Sequence, residues 1–105
     1  MIYSWRIINI VTFDSDDFND IVESFEWQIT AEQNGYNASY SGYYTTRHEV
    51  NDRSGFFELS DLTKDIFISW VEQALGEELN QIKIHLSKQV NKEIENSSKK
   101  IISEI

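Results

Sequence analysis

The side chains with the most evident capacity for chemistry are the acids gathered at Asp14, Asp16, Asp17 and Asp20. Alternating carboxylates in a loop are how a calcium-binding EF-hand begins, so a cation site is the first chemistry to weigh. The pattern fails at three positions: the fifth is Phe18, the sixth is Asn19 where the motif needs glycine, and no bidentate Glu stands at the twelfth. A solvated turn is the expectation. His48 lies in polar sequence and His85 sits within a helix beside Lys83 and Lys88, much too far apart for a metal-ligand spacing, so both read as surface residues. Glu77 and Glu78 are adjacent on a helix and point apart, which denies them an acid/base pairing. Tyr36, Tyr40, Tyr43 and Tyr44 would make a sugar or peptide platform on an open face, but three of the four share parity with Trp27 and belong to the core, leaving Tyr43 on the wet face. No G-x-S-x-G, phosphate loop, H-E-x-x-H or C-x-x-C occurs. The chain reads as non-enzymatic, with no catalytic, cofactor-binding or metal-ligating residues to assign and no cofactor expected.

Composition narrows the partners. The 105 residues carry 9 basic and 18 acidic side chains, a net charge of −9, with 13% aromatics and no Cys or Pro. That is one domain, apolar enough to bury a core. The acidic balance works against phosphate-driven nucleic-acid binding and against anionic lipid surfaces. The opening Met1-Ile2-Tyr3-Ser4-Trp5-Arg6 lacks the basic-then-apolar order of a secretory signal, and no apolar run approaches the ~20 residues of a membrane span, so a protein kept in cytoplasm or packaged from it is expected. The charge is unevenly placed. Three arginines against eleven acids leave residues 1–62 at −8, whereas six lysines against seven acids leave residues 63–105 at −1.

The same division marks a change of periodicity. Tyr3, Trp5, Ile7, Val11 and Phe13 alternate with polar residues, while Ile2, Ile8 and Ile10 on the other parity suggest cover on both faces, the mark of a central strand. Phe25, Trp27, Ile29 and Ala31 alternate with Glu26, Gln28, Thr30 and Glu32, a strand with one wet face. Asn34-Gly35 then predicts a two-residue type I′ hairpin, because both central positions need positive φ. The turn sets the register: Ala31 opposite Ala38, Ile29 opposite Tyr40, Trp27 opposite Gly42 and Phe25 opposite Tyr44, with the indole of Trp27 covering a glycine that has no side chain of its own. Asn51-Asp52-Arg53-Ser54-Gly55 reads as a loop, and residues 56–59 as a short extra edge strand.

Thr63 is the expected N-cap of a first helix, with Asp65 in its first turn, an apolar stripe through Ile66, Phe67, Trp70, Val71, Ala74 and Leu75, and Gly76 as its stop. A second helix carries Leu79, Ile82, Leu86, Val90 and Ile94 along one stripe and ends near Asn96-Ser97-Ser98. Ile101, Ile102 and Ile105 follow it in a position usually polar and frayed. These eight residues are the candidate partner surface, pointing to a homo-oligomer or a larger protein partner. The expected fold is α+β: a single domain, residues 1–105, with a sheet half (1–62) of three or four antiparallel strands in a meander and a helical half (63–105) of two helices packed on one face.

The strand opening Tyr3-Ser4-Trp5-Arg6-Ile7, Val22 with Trp27, the hairpin Asn34-Gly35-Tyr36-Asn37-Ala38 running to Gly42, and Asp61-Leu62-Thr63 leading to Trp70-Val71 occur together in one order. In this the chain resembles a family of small uncharacterised tailed-bacteriophage proteins, many from marine phages, over about residues 2–95. Two departures stand out: Ile66 where the family often has an acid at the third helical position, and no Pro where the family has a Pro-rich tail. The resemblance implies a phage accessory protein, most simply a virion-associated structural or binding module, located in the virion or the infected host's cytoplasm, whose partners are phage structural proteins or itself. The alternative is an early phage protein that inhibits a host DNA-binding enzyme by acidic mimicry, motivated by the −8 of residues 1–62.

Overall fold

Three long strands and two helices make up the computed structural model, which describes residues 1–46, 57–100 and 102–105. Strand β1 spans Ile2–Ser15, β2 spans Phe18–Gln33 and β3 spans Tyr36–Thr45, followed by a 3-10 turn at Leu59–Asp61 and helices α1 (Lys64–Leu75) and α2 (Glu77–Ser97). The sheet is antiparallel in the order β1-β2-β3, so the fold is α+β as expected. The loop expected at Asn51–Gly55 lies outside the described residues.

Turn chemistry decides the β2–β3 hairpin. Asn34 and Gly35 adopt φ of 54° and 82°, and the register places Ala31 against Ala38, Ile29 against Tyr40, Trp27 against Gly42 and Phe25 against Tyr44. From Phe25 to Ala31 the odd-numbered residues of β2 face the helices and are buried, while Tyr43 on the opposite face is 79% exposed.

Strand β1 corrects the expectation of a central strand, because it lies at an edge and β2 is central. Its mixed parity has a different cause at Ile10. The pairing slips between Ile8↔Glu26 and Val11↔Ser24, so two residues of β1, Asn9 and Ile10, oppose the single Phe25, with Asn9 at φ 51°. This β-bulge changes phase, and Ile7 and Ile10 both turn toward the core. Ile2, which suggested a second covered face, is 71% exposed. A further slip near Glu23 restores Val22 to the core. The extra edge strand at residues 56–59 is reduced in the described part to one bridge, Ile21 to Glu58, with the Val22 N–H donating to the Phe57 carbonyl.

Length explains why two helices are needed. The 16 residues of β2 extend about 53 Å at ~3.3 Å each, whereas the 12 residues of α1 cover only about 18 Å. Helix α1 crosses the sheet from the β1 side to β3, where Trp70 stacks on Tyr44 with ring centroids 6.0 Å apart and Phe67 meets Phe25 edge-on at 4.9 Å. Thr63 occupies the N-cap position without a side-chain cap bond, and Gly76, at φ 53° and ψ −126°, ends α1 and starts α2. Helix α2 then runs toward the Asn34-Gly35 end, burying Leu79, Ile82, Leu86 and Val90 against β2 and β3. Tyr3 fixes its height on β1: its hydroxyl hydrogen-bonds Ser87 Oγ, and Lys83 Nζ lies 5.3 Å from the ring centroid. The result is elongated, with a radius of gyration of 19.3 Å, against about 13 Å for a compact chain of 100 residues.

Candidate functional site

The bulge at Asn9 shapes a site-like feature among the described residues. Beside it, the outer edge of β1 and the start of α1 flank an open concavity of about 430 Å³ lined by Arg6, Ile7, Ile8, Ile10, Lys64 and Phe67. Arg6 and Ile8 come from the wet face of β1 and Ile7 and Ile10 from its core face, so the concavity wraps around the strand's edge. The bulge is held from behind by Asn9 Nδ2, which donates to Glu26 Oε2 at 2.8 Å. Lys64 opens α1 and projects over the same space, with Phe67 one turn further along forming the inner wall.

Its electrostatics run against the rest of the chain. Arg6 is the one cation of the sheet half among the described residues, and it shares the concavity with Lys64. Neither forms an ion pair or a side-chain hydrogen bond among the described residues. Two unpaired cations above an apolar wall, next to a strand edge with unpaired backbone N–H and C=O groups, suit an extended segment that carries an acid between apolar side chains.

The residues singled out by sequence fall elsewhere. Asp16 and Asp17 form the tight β1–β2 turn, where Asp14 Oδ1 accepts the Asp20 N–H at 2.9 Å and Asp20 Oδ1 accepts the Thr12 hydroxyl at 3.2 Å. Among the described residues no group of three or more His, Asp or Glu side chains is arranged to hold a metal ion. His85 is exposed on α2, and His48 lies outside the described residues. Tyr36 and Tyr44 pack on the core, while Tyr40, although on the core side of β3, is 42% exposed beside Trp27.

The expected partner surface needs correction. Leu79, Ile82, Leu86 and Val90 are buried within the chain's own core and Ile94 is half-buried against it, because the long sheet requires α2 as its cover. That stripe is therefore not an open face. Of the remaining three, Ile102 and Ile105 are exposed and Ile101 lies outside the described residues. The concavity escaped sequence reading, since Arg6 and Lys64 are distant in the chain; its one signal was the break in alternation at Asn9.

No curated protein and no solved structure matches the chain. A family model described as a domain of unknown function (DUF7936) matches residues 1–103. Nearly the whole chain, from β1 through α2, is thus one family unit, and the protein belongs to the DUF7936 family.

Proposed function

We propose that this chain is a non-enzymatic binding module and, following its resemblance to small tailed-bacteriophage proteins, an accessory protein attached to the virion. The observation that supports the binding reading best is the concavity at the β1 edge, where Arg6 and Lys64 stand over Ile7, Ile10 and Phe67 without partners among the described residues. Both helices cover one sheet face, and this edge and the segment after α2, with Ile102 and Ile105 exposed, are among the surfaces they leave open in the described residues. Mass spectrometry of purified particles tests the virion reading: the chain is expected at a fixed copy number, and its absence from particles defeats that reading.

Acidic mimicry draws less support. A DNA mimic needs acids spaced like phosphates along one face. Four of the aspartates crowd one turn at Asp14 to Asp20, while Glu26 on the wet face is tied to Asn9 and shares that face with Arg6.

A further inference from the structure

We propose that the concavity at the bulged edge of β1 is the seat for a second copy of this chain, and that it receives residues 102–105 of that copy. This names the partner of the binding module proposed above. It does not depend on virion location: absence from particles would defeat the virion reading and leave self-association standing.

The two surfaces match in chemistry. The seat presents two cations unpaired among the described residues, Arg6 and Lys64, beside the apolar Ile7, Ile8, Ile10 and Phe67. Residues 102–105 read Ile-Ser-Glu-Ile, an acid flanked by two exposed isoleucines. Glu104 meets the cations while Ile102 and Ile105 lie on the apolar wall, and the extended segment adds to the free edge of β1 as a short fourth strand. Helix α2 leads away from the seat of its own molecule. Helix α2 starts beyond α1 and runs to the far end of the sheet, where Gln89, Lys92 and Asn96 stand beside Asn37 and Ser39 of β3, in a molecule 75 Å long. Two copies of net charge −9 repel each other at long range, but at physiological salt that repulsion is screened over about 8 Å, leaving the local pairing to decide. Because seat and tail are different surfaces, the contact is head-to-tail and continues into chains or rings.

Sedimentation velocity over a concentration series tests this with the full chain, using Arg6→Glu/Lys64→Glu as the seat variant and Ile102→Ser/Ile105→Ser as the tail variant. All four positions are exposed and at the surface, and circular dichroism confirms that the variants fold. The wild-type chain is expected to grow in mass with concentration, and each variant alone to associate at least about tenfold more weakly. An equimolar mixture of the two variants should form 1:1 pairs and nothing larger, since one intact seat and one intact tail remain. The proposal is overturned if the wild-type chain stays monomeric, if either variant assembles as the wild type does, or if the mixture fails to pair. Loss of assembly in the seat variant alone would likewise overturn it, by assigning the seat to another segment.

Discussion

Replacing Gly42 with alanine tests the packing at the centre of the sheet. A Cβ at this position falls 2.5 Å from Trp27 Cζ2 and 2.8 Å from Cε2, where carbon atoms normally rest about 3.5–4.0 Å apart. The shortfall is about 1 Å, and the indole has little room to yield, since Trp5 and Tyr40 each lie 5.9 Å from it by ring centroid. Overpacking of this kind costs about 1–3 kcal/mol. Alanine returns about 0.4–1 kcal/mol by restricting the unfolded chain. The expected net loss is about 1–2 kcal/mol, or roughly 4–16 °C in Tm for a domain of this size. Urea unfolding measures it, and the same change made in a Trp27→Leu background isolates the cause. With the indole gone, Gly42→Ala should become neutral or stabilising, a coupling of about 1 kcal/mol or more. An equal cost in both backgrounds, or a gain of stability in the wild-type background, would refute the reasoning.

Three further outcomes follow from the same structure. Leu86→Ala should cost about 2–5 kcal/mol in chemical denaturation, because Leu86 is fully buried under α2; a cost near zero would return the α2 stripe to the surface. Gly76→Ala meets no atom within 4 Å, so its expected cost of about 1–3 kcal/mol comes from a backbone of φ 53° and ψ −126° that side chains avoid; thermal melts that show no change would contradict that geometry. Gly35→Ala, also in open space at φ 82°, should lose about 1 kcal/mol by the same measurement through backbone strain alone.

The β2–β3 hairpin was legible in sequence because its information is local. Asn34-Gly35 selects the turn, the turn selects the register, and the alternation from Phe25 to Ala31 agrees with it. Gly76 and Ser97-Ser98 likewise mark the helix ends where the chain places them. Two features were beyond such reading for a physical reason. Alternation assumes an unbroken pleat, and the bulge at Asn9 shifts β1 by one residue and brings Ile10 to the core, while Ile2 and Ile8 are apolar residues on the wet face; together they made an edge strand imitate a central one. Periodicity also reports that α2 has an apolar face and says nothing of what covers it. The answer lay in the length of β2, which α1 alone leaves mostly bare. The concavity was the least legible, since it forms only when the start of α1 is folded against the bulge.

Cross-linking with a lysine-reactive reagent on an equal mixture of ¹⁴N- and ¹⁵N-labelled chains tests the head-to-tail contact most directly. Lys64 stands in the seat and Lys100 lies two residues before Ile102. The expected product is a Lys64–Lys100 peptide pair that joins one label to the other, present in the wild-type chain and lost when Glu104, Ile102 and Ile105 are changed to serine. Lys64–Lys100 pairs found only within one label, or no such pair at concentrations where the chain associates, would contradict the account.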